Sequence, residues 1–88
     1  MNAGLTRSVA REVIVRGVNV NAIAPGYIDT PMTQAVSDAV RRAIELATPA
    51  GQFGSPQDVA NLAVYLASEE SNFVVGQVMS PNGGYVIA

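Results

Sequence analysis

The 88-residue sequence has no cysteine, histidine or tryptophan, and its five basic residues are all arginine. Without cysteine there is no disulfide framework and no thiolate chemistry. Without cysteine or histidine, a zinc site of the usual kind is excluded, and so are the nucleophile systems built on either residue. Without lysine, no ammonium group can draw a tyrosine pKa from about 10 toward neutrality. Charge is also scarce: 14% of residues, against roughly 25% in a typical soluble domain. The net charge is −2. The arginines are spread over helical segments rather than along one stripe, which argues against a nucleic-acid partner. No apolar run approaches the ~20 residues that span a bilayer, so no membrane partner is expected. The first residues lack the order of a signal peptide, and a cytoplasmic setting is expected. The carboxylates Glu12, Asp29, Asp38, Glu45, Asp58, Glu69 and Glu70 are scattered. Glu69-Glu70 reads as a solvated helix end rather than an acid/base pair. No catalytic residue and no metal ligand is therefore assigned.

What is present is apolar surface. Apolar residues make up 49% of the chain. At this length the sequence is one domain at most, or part of one, and can bury only a marginal core. High apolar content with little charge excludes disorder and suggests a chain meant to be buried against something else.

Residues 2–16 carry a helical period, with Leu5, Val9 and Val13 on one stripe widened by Ala10 and Ile14. Glu12 and Arg16 are placed as an i, i+4 pair, and Gly17 sits where a left-handed cap is wanted. Residues 18–24 read as a strand. In a parallel sheet both its faces are covered, so Asn19 and Asn21 need partners, for which neighbouring backbone is expected. Pro25-Gly26 opens a loop over residues 25–33. Residues 34–47 return to helical period, with Thr33 or Ser37 as the cap. A linking loop follows over residues 48–54. Ser55, Pro56 and Asp58 then make N-cap, N1 and N3 of a capping box. The helix they open runs to about Ser68 and is apolar nearly all round, which implies burial on more than one side. Residues 73–80 read as a second strand, ended by Pro81-Asn82-Gly83-Gly84. The order helix, strand, helix, helix, strand predicts an α/β fold: the C-terminal portion of a Rossmann-type doubly wound parallel sheet. Two strands cannot form a stable sheet alone, and each leaves an edge open.

The segments Gly4-Leu5-Thr6-Arg7-Ser8-Val9-Ala10, Val20-Asn21, Pro25-Gly26-Tyr27-Ile28-Asp29-Thr30, Gly54-Ser55-Pro56 with Asp58-Val59-Ala60, Leu66-Ala67-Ser68, Gly76-Gln77 and Asn82-Gly83-Gly84 occur in an order that resembles the C-terminal part of a classical short-chain dehydrogenase/reductase. By flavour the nearest subgroup is the beta-ketoacyl-[acyl-carrier-protein] reductase-like enzymes. The resemblance implies that residues 1–88 form a partial NAD(P)-binding Rossmann domain. Its cofactor would be NAD or NADP, and its substrate in the intact parent a small carbonyl or alcohol. It implies that Pro25, Gly26, Ile28 and Thr30 hold the nicotinamide end, with the Ile28 amide and the Thr30 hydroxyl suited to the carboxamide or a phosphate. Tyr27 and Met32 could line a substrate or cofactor pocket, or simply pack the loop. Asp29 is expected to be structural, because a carboxylate facing phosphates is unfavourable. The family's glycine-rich phosphate loop has no counterpart here. Its Tyr-x-x-x-Lys pair would fall just before Gly4, so the 88 residues alone are expected to be inactive. Pro81 departs from the family's usual aliphatic residue and should end the last strand.

Two functions follow. One is part of an NAD(P)-dependent short-chain oxidoreductase, supplying the nicotinamide-side loop and subunit contacts, as a homo-oligomer. The other is a non-catalytic interaction module built on exposed strand edges and apolar helices.

Overall fold

The computed structural model describes residues 3–87. Residues 1, 2 (where the helical pattern begins) and 88 lie outside them. Helix α1 spans Ala3–Val13 and passes into a 3-10 turn, Ile14–Arg16. Gly17 closes it at φ 77°, its N–H bonded to the Ile14 carbonyl. The left-handed cap expected at Gly17 is therefore present. The expected Glu12–Arg16 ion pair is not formed among the described residues. The chain leaves α-helical winding between the two, so they no longer lie one above the other.

The sheet is a parallel pair, β1 (Ala22–Ile23) with β2 (Val78–Met79), in register Ala22 with Val78 and Ile23 with Met79. Both strands are shorter than the sequence suggests. Ladder-like bonds nonetheless continue on either side: Gly76 N–H to Val20 O at 2.8 Å, Ala24 N–H to Met79 O at 2.9 Å and Gly26 N–H to Pro81 O at 3.2 Å. At the entry to β1, side chains replace the ladder. Asn19 and Asn21 each donate Nδ2–H to the Val74 carbonyl, at 2.7 and 2.8 Å, and Asn21 Oδ1 accepts the Gln77 N–H at 3.0 Å. The expected backbone partners are thus found. Residues 73–77 are not strand, because Val74 N–H turns back to Ser71 O and Gly76 adopts φ 68°. That turn seats against α1: a Cβ on Gly76 would lie 3.1 Å from Ala10 Cβ.

The single helix expected over residues 34–47 is two. Thr30 caps α2 (Pro31–Gln34), and Ser37 caps α3 (Asp38–Ala47) by accepting the Val40 N–H at 3.2 Å. Of the two caps weighed, Ser37 is the one used. Thr33 instead sits inside α2. Helix α4 (Pro56–Ala67) starts as its capping box requires: Ser55 N–H donates to Asp58 Oδ2 at 2.7 Å, and Asp58 N–H to Ser55 Oγ at 3.2 Å. A 3-10 turn, Glu69–Ser71, follows it.

Burial is sparse. Ala10 is the one buried apolar residue among those described, and α4 has none. Thr48 and Ser71 are buried and satisfied, donating to Ile44 O at 2.8 Å and Leu66 O at 2.9 Å. The α1 stripe is covered only around Ala10, with Val9 and Val13 half-buried, and on α4 Val59, Leu62 and Leu66 are half-buried while Val64 is largely exposed.

Candidate functional site

The loop that leaves β1 is pinned on one side to the loop that leaves β2. Gly26 allows this: a Cβ there would sit 2.7 Å from Asn82 Cβ and 2.8 Å from its Cα. Contacts this short exclude any side chain. The room that glycine leaves is thus taken by Asn82 rather than left open for a ligand. Asn82 holds its own turn, donating Nδ2–H to Ser80 Oγ and Val86 O and accepting the Gly84 N–H at 2.8 Å. The Asn-Gly-Gly motif is a self-bonded bracket behind the loop.

Further along, Ile28 forms an isolated parallel bridge with Gly54. Gly54 N–H donates to Tyr27 O at 2.9 Å, and Asp29 N–H to Gly54 O at 2.8 Å. In this pattern the neighbours of Ile28 spend their groups on the bridge, while its own N–H and C=O face the other way. The carbonyl accepts the Thr33 hydroxyl at 2.8 Å. The Ile28 N–H has no partner among the described residues. On a half-buried residue such a donor is open to water or to a ligand.

Thr30 makes a capping box with Thr33. Its Oγ1 accepts the Thr33 N–H at 3.4 Å, and its own N–H donates to Thr33 Oγ1 at 2.8 Å. The cap uses a lone pair, and the hydroxyl proton stays uncommitted. Capping and ligand binding are therefore compatible at Thr30. The Ile28 N–H and the Thr30 O–H lie two residues apart on one loop. A carboxamide carries a carbonyl acceptor and an NH₂ donor, so the residues present fit a nicotinamide end.

Behind the loop stands a layer of side chains. Arg41 of α3 pairs with Asp29 at 3.2 Å and lies 4.2 Å over the Phe53 ring. Gln34 Nε2 reaches the same Asp29 oxygen at 3.5 Å. Phe53 packs on Tyr27 with centroids 6.2 Å apart, and Tyr85 meets Tyr27 edge-on at 5.3 Å. Asp29 is thus neutralised and structural, as expected. Tyr27 packs against Phe53 and Tyr85 yet remains partly exposed, Met32 stands exposed on α2, and Pro25 is exposed ahead of it. Sequence reasoning passed over Arg41, Phe53 and Tyr85, and read Asn82 only as part of the turn that ends the second strand. The one signal available was an unpaired acid in the loop with arginines ahead on the next helix.

Concavities among the described residues lie elsewhere. A groove of about 370 Å³ is lined by Ala50, Phe53, Gly54, Asp58, Pro81 and Asn82 among others. One of about 290 Å³ lies between α1 and the turn before β2. Neither is lined by Ile28 or Thr30, both of which are half-buried. At the first groove, the Ser55 N–H and hydroxyl hold the Asp58 carboxyl below its ordinary value. No group of three metal-ligating side chains occurs among the described residues, and none of their helices is long and apolar enough to cross a membrane.

The family described as Enoyl-(Acyl carrier protein) reductase matches residues 2–86. The 3-oxoacyl-[acyl-carrier-protein] reductase of Escherichia coli K12 is 46% identical over 81 residues, covering 92% of this chain and 33% of the relative. That of Rickettsia bellii is 43% identical over 84 residues, covering 96% and 35%. A crystal structure of a protein from Agrobacterium tumefaciens, provisionally identified as a 2-deoxy-d-gluconate 3-dehydrogenase and holding NADP, superposes with a TM-score of 0.89 at 45% identity. It covers 94% of this chain and 35% of that one. The chain thus spans about a third of the length of the curated relatives it matches. Family match, identity and superposed fold agree over nearly every residue, and the chain belongs to the short-chain dehydrogenase/reductase family.

Proposed function

We propose that residues 1–88 are part of an NAD(P)-binding Rossmann domain and form the nicotinamide-facing wall of an oxidoreductase. That enzyme interconverts a small carbonyl and an alcohol, in the cytoplasm and as a homo-oligomer. The observation that carries the reading is the Ile28 N–H, without a partner among the described residues, two residues from the uncommitted Thr30 hydroxyl proton. A bound nicotinamide supplies or accepts the hydride. The chain's own part is orientation: Ile28 N–H donates to the carboxamide oxygen, and Thr30 Oγ1 bonds the carboxamide or a phosphate. Pro25 and Gly26 fix where the loop leaves β1, with Gly26 locked onto Asn82. Met32, exposed on α2, faces the substrate side, and Tyr27 holds the loop from behind. The sequence has no lysine, cysteine or histidine, so no residue here is assigned to proton exchange. The NADP held by the Agrobacterium structure and the reductase names of the relatives support the choice of ligand and reaction.

The test is an amide-resolved NMR titration of the chain with NADP⁺ and with nicotinamide mononucleotide. Shifts centred on Ile28 and Thr30 with both ligands are expected. Shifts confined to the groove at Asn82, or none at millimolar ligand, would refute the assignment.

A further inference from the structure

Asn82 and Gly83 are the one asparagine-glycine pair in the sequence, and they stand at the head of the bracket behind the loop. Gly83 and Gly84 are the central residues of a tight turn, at φ 61° and 88°, closed by Tyr85 N–H on Asn82 O at 3.1 Å. The Gly83 N–H has no partner among the described residues, and no side chain on Gly83 crowds that nitrogen. Asn82 Oδ1 accepts the Gly84 N–H at 2.8 Å. That bond draws electron density from Cγ and puts a donor where an oxyanion would form. The other described asparagines lack this combination. Asn21 precedes Ala22, whose N–H is held by Gln77 O at 2.9 Å, and Asn61 precedes Leu62 inside α4. Asn19 and Asn72 precede Val20 and Phe73, whose bulky side chains crowd the following nitrogen.

We infer that Asn82 is a self-modification site, and that its conversion to an acid opens the bracket. Hydroxide removes the Gly83 amide proton, and the nitrogen attacks Asn82 Cγ. The new C–N bond forms as the Cγ–Nδ2 bond breaks, and Nδ2 leaves as ammonia with a proton from water. Water then adds to either carbonyl of the resulting succinimide and cleaves one C–N bond. Cleavage at Cγ gives aspartate. Cleavage at the main-chain carbon gives isoaspartate, in which the backbone runs through the former side chain. No oxidant or reductant takes part. Nδ2 is the gate: it donates to Ser80 Oγ at 2.9 Å and to Val86 O at 3.0 Å, both on the exposed side of the turn, and it leaves when these bonds open.

Either product breaks the bracket. A carboxylate has no donor, so the Val86 carbonyl then faces an acceptor in place of Nδ2–H. Isoaspartate also lengthens the backbone by one methylene, in a turn with no room for it. A Cβ on Gly83 would lie 3.0 Å from Thr48 Cγ2 and 3.1 Å from Ala50 Cβ, and one on Gly84 3.1 Å from Pro49 Cγ. Asn82 is also the surface on which Gly26 rests, its Cβ 2.7 Å from an added Gly26 Cβ. The lengthened turn must therefore give up two holds: Ala50 N–H on Gly83 O at 2.9 Å, and the seat of Gly26, whose N–H bonds Pro81 O at 3.2 Å. The change is one-way, and it ties the age of the chain to the grip on the loop at the exit of β1. It acts whether or not that loop binds nicotinamide.

The experiment ages the 88-residue chain in mildly alkaline buffer and follows it by peptide mass spectrometry, with electron-transfer fragmentation to tell isoaspartate from aspartate. Expected is conversion at Asn82 ahead of Asn19, Asn21, Asn61 and Asn72, at a rate that rises with hydroxide. Ser80→Ala removes one partner of Nδ2 and should raise the rate about two- to tenfold. The isoaspartyl chain carries an added negative charge and is separated by anion exchange. Its amide exchange at Gly26 and Ala50 should be at least about tenfold faster than in the unaged chain, with Ala22 unchanged. The inference is overturned if Asn82 converts no faster than the other four, if the rate ignores pH, or if Ser80→Ala leaves the rate equal or lower. It is equally overturned if the isoaspartyl chain keeps its original exchange at Gly26 and Ala50. Loss of protection at Ala22 as well would mean that the whole chain had opened, and would overturn it too.

Discussion

Arg41→Met isolates what the layer behind the loop contributes. The methionine keeps much of the aliphatic length and removes both interactions of the guanidinium. The Asp29 pair is part-exposed, with side-chain exposures of 28% for Arg41 and 41% for Asp29, so it contributes about 0.2–1 kcal/mol. The stack on Phe53 at 4.2 Å adds about 0.5–1 kcal/mol at a site of this exposure. Together these amount to roughly 1–2 kcal/mol acting on local opening of the loop, not on the sheet. Two amides report it: Asp29 N–H on Gly54 O and Gly54 N–H on Tyr27 O. Their hydrogen exchange should accelerate about five- to thirtyfold, with Ala22 and Ala24 unchanged. Arg41→Lys keeps the charge but loses the planar stack and should fall between. Faster exchange at all four amides would mean that Arg41 holds the whole chain and not the loop. A change below about twofold at Asp29 and Gly54 would refute the tether altogether.

Gly26→Ala places a methyl 2.7 Å from Asn82 Cβ, and backbone must move. A cost of about 1–3 kcal/mol is expected, seen as loss of protection at Ala24 and Gly26. Thr30→Val removes the cap and the hydroxyl proton together, whereas Thr30→Ser keeps both. The valine variant should lose about 1 kcal/mol at α2 and bind nucleotide more weakly, with serine close to wild type in amide exchange and in titration. Asp58 is depressed in the folded state by the Ser55 N–H and hydroxyl. Its contribution to α4 is full above the ordinary aspartate value and is lost as pH falls through the lowered one. Helix content followed by circular dichroism should drop in that window, and Asp58→Asn should flatten the drop.

Local chemistry was legible in the sequence; the extent of the elements was less so. Ser55-Pro56-Gln57-Asp58 gave the start of α4 because a capping box is complete within four residues. Pro25-Gly26 marked the end of β1 for the same reason. The break between α2 and α3 was hidden. Val36, Val40 and Ile44 keep a helical period across it, and Thr30-Pro31 is a second start signal that the apolar period outweighed. The strands read long because Val18, Val20, Phe73 and Val74 are apolar and β-branched or aromatic. Asn19 and Asn21 take the Val74 carbonyl with their side chains, and pattern alone cannot show a side chain replacing a ladder bond. Arg41, Phe53 and Tyr85 stayed out of view because their partners lie 12 or more residues away, a separation that only the fold brings together.

The placement of these contacts separates two properties that usually travel together. The loop is fixed by groups within it or just behind it: the Thr30–Thr33 box, the Ile28–Gly54 bridge, the Asp29–Arg41 pair and the Gly26–Asn82 contact. None of these needs a hydrophobic core, and Ala10 is the one buried apolar residue described. The geometry of the loop is thus set locally, apart from the small apolar contact of Ala10 with the turn before β2. Substitutions behind the loop should change how Ile28 N–H is presented and leave the β1–β2 pair intact. Substitutions in the strand pair should do the reverse. In a conventional domain both kinds would pass through one shared core and could not be told apart by stability alone. Arg41 bonds within the layer behind the loop and Ile23 lies in the strand pair, so a double substitution of the two should be additive in amide exchange.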